Sequence, residues 1–432
     1  MRSRSSVGAF LTVALVAAVI GVTVTVPAGA ESRTAHPDVK ISTNSEFDKA
    51  HAVRSGSGTR SDPYVISGWQ MGSLVIQNTN KWVSIHDNTI GGLVLDWIGD
   101  RVTVRNNVIG DMRVNQNVPR TGAPTSGLIE WNAFNVVGQL RHWDGVFQKN
   151  IVGSQAEGAD TRANRAVNFD GYNGAKFVNN TIYGFVEARL HGHHHSTRFG
   201  GSSHNHATTA EHDHHNAAAA KEMHRYRHHE VTIANNRIDS THAFALAYLD
   251  TDHAANDRTA ASETDPALEN PHLHFTRVHL LRNTLTGAGI LVNIFNAADE
   301  RHPWTERGLV HIEGNRVDLV SDAFLTFRQL QGIEIRQARD ADVKILRNTI
   351  NGVKETGMLA FLEDGDQDAG ILLNTLDDSK VQVIGNRVSK RAYGVRAATM
   401  TDSVTWLVRD LRTSDVRERV YYDESVSNKP QN

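Results

Sequence analysis

One short pattern of apolar and polar positions returns along most of the chain: apolar, any residue, apolar, two of any kind, Asn, any residue, apolar, often with Gly next. The clearest copies are Val83-Ser84-Ile85-His86-Asp87-Asn88-Thr89-Ile90-Gly91, Val102-Thr103-Val104-Arg105-Asn106-Asn107-Val108-Ile109-Gly110 and Val278-His279-Leu280-Leu281-Arg282-Asn283-Thr284-Leu285. Others centre on Asn180, Asn236, Asn315, Asn348 and Asn386, and two weaker copies, on Asn132 and Asn150, carry Gly in place of the first apolar residue. Alternation over the first three positions is strand periodicity, with two side chains on one face and one on the other. An Asn just past the strand marks a sharp bend, because Asn tolerates a left-handed backbone and its amide bonds locally. The apolar residue beyond it begins the next inward-facing strand.

From one Asn to the next the spacings are 19, 25, 18, 30, 56, 47, 32, 33 and 38 residues. The short values fit one bare coil, and the long ones fit a coil plus surface loops, since backbone reach sets the minimum circuit while insertions cost little. An antiparallel sandwich also alternates, yet it has no reason to keep one residue in one phase ten times. The expected fold class is therefore all-β, a single-stranded right-handed parallel β-helix. Its asparagines should stack at about the 4.8 Å strand spacing, each amide donating and accepting along a ladder.

This phrase resembles the parallel β-helix repeat of pectin-lyase-like folds and of NosD-type copper-accessory proteins, over roughly Ser55 to Arg396. Gly56-Ser57-Gly58-Thr59, running on through Asp62-Pro63-Tyr64 to Gly68-Trp69, resembles the segment that precedes the first coil in that group. The resemblance implies a fold far more than a reaction, since members include lyases, hydrolases, epimerases, metal-accessory proteins and adhesins. The expected layout is a leader over 1–30, an N-terminal cap over 31–70, the β-helix over 71–400 and a C-terminal cap with a polar tail over 401–432. The tail, from Asp423 to Asn432, is expected to be disordered.

The leader is read from Arg2 and Arg4 followed by an apolar run from Val7 to Val26 and the small residues of Ala28-Gly29-Ala30. An uncleaved anchor is the alternative, because the run is long enough to span a bilayer. An exported, secreted or cell-surface protein follows, with no membrane span once the leader is cut. The net charge of −3 becomes −5 when those two arginines leave, which argues against a nucleic-acid partner. Cys is absent, so stability must come from burial and hydrogen bonding within a self-contained stack, expected to be a monomer.

Composition breaks sharply at 191–229, where 12 of the 23 histidines fall within 39 residues: His191, His193, His194, His195, His204, His206, His212, His214, His215, His224, His228 and His229. Neutral imidazole ligates Zn²⁺, Cu²⁺ and Ni²⁺ and is largely unprotonated near neutral pH. Zn²⁺ is the first expectation, with Cu(II) or Ni as options; with no Cys and six Met, soft Cu(I) chemistry has little support. The tract is expected to leave the wall as a loop. A helix continuing from Ala217–Met223 would set His224 and His228 four apart on one face. The competing reading is a solvated low-complexity loop that binds metal only adventitiously.

A secondary metal set is His272, His274, His279, His311 and Glu313, the latter three on outward strand positions, against the plain alternative of chance polar exposure. Carboxylates Asp250 and Asp252, and Glu363, Asp364, Asp366 and Asp368, are weaker candidates for Ca²⁺ or for acid–base work on a polysaccharide beside Arg328 or Arg336. Three functions remain open: a metal buffer, carrier or accessory protein, with a metal-receiving protein or cell-surface polysaccharide as partner; a polysaccharide lyase or hydrolase; and a structural surface protein. Trp82, Trp97, Trp131 and Trp143 read as packing residues rather than a sugar platform.

Overall fold

The computed structural model describes residues 33–96, 98, 101–115, 127–143, 145–157, 161, 165–171, 174–190, 228–242, 244–250, 275–295, 307–319, 331–352, 369–401, 403–423 and 426. They form a parallel β-helix: the chain winds through a thirteen-stranded sheet and a twenty-stranded sheet, the latter bent into two faces. Among the described pairings only Val53–Ser55 against Tyr64–Ser67 is antiparallel. Inward columns follow the sequence pattern, with Val278, Val310, Val343 and Val381 stacked in register and fully buried. Burial of each such side chain contributes about 1.5–3 kcal/mol.

The two weak copies of the repeat have a packing cause. Trp143 is fully buried, and its ring lies against Gly127 and Gly145, where any Cβ would collide with it. Glycine replaces the apolar residue in those two coils because the indole already fills the space. Phe147 and Phe177 continue the column as parallel rings 4.9 Å apart.

One corner of each coil is invariant. Strand Val83–His86 is followed by Asp87 and Asn88, strand Val102–Arg105 by Asn106 and Asn107, and the same two-residue link recurs through Lys380–Ile384, Gly385 and Asn386. All ten asparagines are at most 2% exposed. Asn107 shows the bonding. Its Nδ2 donates to Asn132 Oδ1 (3.0 Å) and to the Ile85 carbonyl of the coil before (3.0 Å), its backbone N–H donates to Asn132 Oδ1 (3.0 Å), and its own Oδ1 accepts twice from Asn88.

The expected left-handed residue is displaced by one. Asp87, Asn106, Trp131, Lys149, Asn179, Asn235, Arg282, Gly314, Arg347 and Gly385, each directly before a ladder Asn, have φ between +52° and +70°. The ladder asparagines themselves are absent from the positive-φ set. The physical reason is a division of labour: the preceding residue makes the turn and points outward, which frees the next side chain to point in and bond. At the first end Trp69, after left-handed Gly68, donates its N–H to Asn88 Oδ1 (3.0 Å). At the other end Leu411, after left-handed Asp410, occupies the equivalent place.

The other two corners take insertions. Segments 191–227 and 251–274 fall at the same corner of consecutive coils, between strands Phe185–Leu190 and His228–Ala234 and between Leu246–Asp250 and Phe275–Leu281.

The stack also extends beyond the boundaries expected from sequence. Tyr64–Ser67 already pairs in parallel with Val83–His86, so the first coil begins before residue 71. Ahead of it a 3₁₀ turn, Asn44–Lys49, buries Phe47 flat against Tyr64 at 4.5 Å. Thr405–Arg409 and Arg412–Tyr422 complete a further coil past residue 400. The polar tail is not wholly loose. Asp423 pairs with Arg396 (2.8 Å), and Val426, 3% exposed, joins the core.

Candidate functional site

The primary histidine tract divides at the wall. His191, His193, His194, His195, His204, His206, His212, His214, His215 and His224 lie outside the described residues. His228 and His229 open strand His228–Ala234, in register with Phe275 and Thr276. The insertion therefore ends at residue 227, and the helical pairing of His224 with His228 does not occur, because His228 has strand backbone. The repeat copy at Asn236 claims those residues as the start of its strand, which wins over the helix propensity upstream.

Of the secondary set, His272 and His274 lie outside the described residues, while His279, His311 and Glu313 come together on the outer face of the thirteen-stranded sheet. His279 and His311 face each other across adjacent parallel strands, ring centroids 5.8 Å apart and planes at 69°. Glu230 Oε1 lies 3.7 Å from His279 Nε2, and Glu313 Oε2 lies 2.7 Å from His311 Nε2. The latter nitrogen is buried, and despite the close approach its alignment falls short of a good hydrogen bond to that oxygen.

Burial, the larger influence, pushes the His279 imidazole below its ordinary range and outweighs the nearby Glu230 carboxylate, which favours the proton. The ring is thus neutral at neutral pH, the form that ligates metal. The Arg347 guanidinium bonds Glu313 and holds its carboxyl below the usual range. Among the described residues no three His, Asp or Glu side chains form a ready metal site. The pair is a two-imidazole face with carboxylates at its margin, and a metal held there would need further ligands from outside it.

Of the carboxylate candidates, Asp250 falls among the described residues. Asp250 ends strand Leu246–Asp250, opposite Leu190, while Asp252, Glu363, Asp364, Asp366, Asp368 and Arg328 lie outside the described residues. Arg336 is bound to Glu334 at 3.0 Å. Trp143 is a core residue, Trp131 is 56% exposed beside Lys149, and Trp97 lies outside the described residues.

One polar column escaped the sequence reading: Gln77, Asp96, Asn115 and Arg141 share one register position on consecutive coils of the twenty-stranded sheet. Burial raises the Asp96 carboxyl above its ordinary range, against the hydrogen bond from Asn115. The available signal was a polar residue eight or nine positions after Asn88, Asn107 and Asn132, outside the repeat phrase itself. A scan against protein-family models and searches of curated proteins and of solved structures each find no match to the chain.

Proposed function

We propose that this chain is an exported metal-binding protein, a buffer, carrier or accessory protein for Zn²⁺ or a similar divalent transition ion, in which the β-helix is a rigid frame and residues 191–229 are the main ligand store. The observation that carries the reading is the placement of histidine along one sheet. The tract of 12 His re-enters the wall at His228, one coil before the strand bearing His279, which itself faces His311. In the sequence, His272 and His274 directly precede strand Phe275–Leu281, which bears His279. Resemblance of the repeat to NosD-type copper-accessory proteins points the same way.

Equilibrium dialysis tests this. The full chain should take up several Zn²⁺ ions with weak-to-moderate affinity, and a version with 191–227 replaced by a short link should lose most of them. Binding should fade as pH falls below about 6, because protons compete for imidazole. Equal uptake by the two versions would remove the tract from the function.

A further inference from the structure

The invariant corner changes character halfway along. In its first half the positions flanking the ladder asparagines are mostly uncharged: Asn106 and Val108, Trp131 and Ala133, Asn179 and Thr181, with Asp87 and Lys149 the exceptions. From Asn236 onward every coil places one arginine there, alternating sides as far as Asn386: Arg237 after its Asn, Arg282 before, Arg316 after, Arg347 before, Arg387 after; the last coil has Arg412 after Leu411, with Asp410 on its other flank. Arg237, Thr284, Arg316, Thr349, Arg387 and Arg412 form one continuous register column. Where that column holds Thr, the arginine sits on the other flank. All six arginines are exposed.

Their partners do not neutralise the row. Arg316 meets Asp318 at 2.7 Å and Arg347 meets Glu313, while Arg282 donates only to the neutral Asn235 side chain at 3.0 Å. Among the described residues no carboxylate pairs with Arg237, Arg387 or Arg412. The result is a staggered rail along one corner with one guanidinium per coil rise of about 4.8 Å, close to 24 Å from first to last. It stands on the part of each coil whose length never varies.

We infer that this rail binds a linear acidic polysaccharide lying along the stack axis. Arginine's planar fork suits repeated carboxylate or sulfate groups, and a periodic row on a fixed frame suits a periodic polymer better than a folded protein. Nucleic acid fits less well, since single strands are gripped by exposed aromatic platforms and duplexes by a dense basic surface. Trp131, Ile151 and Leu407 are the large apolar side chains exposed among the described residues, and none belongs to the rail. The inference is independent of the metal reading: neither Arg237, Arg387 nor Arg412 touches a candidate ligand, and the test needs no metal.

The experiment uses the full chain with a chelator present and end-labelled alginate oligomers, read by fluorescence anisotropy. Three proteins are compared: the unmodified chain, the triple variant Arg237→Gln, Arg387→Gln, Arg412→Gln, and a control triple, Lys40→Gln, Arg417→Gln, Arg419→Gln, with the same charge change elsewhere. At about fivefold per cation near a polyanion, the rail variant should bind about a hundredfold more weakly while the control stays within a few fold of the unmodified chain. Binding should weaken as salt rises, and oligomers shorter than the rail should bind less tightly. Thermal melts identical among the three confirm that folding is not the cause. Equal loss in both triples, or no binding by the unmodified chain, overturns the inference. Preference for inorganic polyphosphate or a thymidine oligomer over alginate and dextran sulfate, through the same arginines, overturns the choice of polymer.

Discussion

Two adjacent residues share each tight corner, and they answer differently to substitution. Asn236 Nδ2 donates to Asn283 Oδ1 and the Phe177 carbonyl, its backbone N–H donates to the same Oδ1, and its own Oδ1 accepts from Asn180. Asn236→Ala strands several of these groups in a dry site, so a loss of about 2–4 kcal/mol is expected in urea unfolding. Its neighbour type is tested at Asn106, an exposed residue with φ +56°. Asn106→Gly should be neutral or slightly stabilising, whereas Asn106→Val should cost about 1–2 kcal/mol, because a branched Cβ clashes in the left-handed region. His279 gives a pH signature. Burial holds its folded-state pKa below the 6.5 of the open chain, so the unfolded chain protonates first as pH falls. Stability is untouched well above pH 6.5 and declines as pH drops through 6.5 toward the folded value. Melting temperatures of His279→Gln measured from pH 8 to 5 should show a shallower acid decline than the unmodified chain.

At the scale of the element, the three corners differ in what they tolerate. A four-residue Gly-Ser insertion between Arg347 and Asn348 should abolish the cooperative melt, since it breaks the two-residue link and offsets the ladder. The link at 172–173, which joins Gly171 to the turn before Ala175, shows how little chain the other corner needs. Replacement of 191–227 by such a link should therefore leave the circular-dichroism spectrum and melt close to the original. Legibility in the sequence follows the same division. Every ladder Asn was visible, because a buried amide row admits no substitute and so repeats in phase. The left-handed residue was assigned one place late, since Asp, Asn, Trp, Lys, Arg and Gly share that position and leave no common letter. The strand start at His228 was hidden by imidazoles that look alike on either side of the wall. The Gln77–Asp96–Asn115–Arg141 column and the arginine rail were missed because outward positions obey no packing rule.

The whole molecule is a one-dimensional stack in which each coil touches mainly its neighbours, so stability should vary along the axis. At the far end, Thr405–Arg409 and Arg412–Tyr422 pair on one side only among the described residues. Hydrogen exchange followed by mass spectrometry should show these strands exchanging first and the coils around Phe134, Phe147 and Phe177 last, where stacked rings fill the core. The amide row also has a sense of travel. Each side-chain oxygen accepts from the coil before it, and from Asn88 to Asn348 each Nδ2 and backbone N–H donate to the oxygen of the next asparagine, so the row runs like a one-way chain of dominoes. Leu411 presents no oxygen to Asn386 and stops the sequence, as a full stop ends a sentence. Leu411→Asn should carry the message one coil further and slow exchange in the terminal strands.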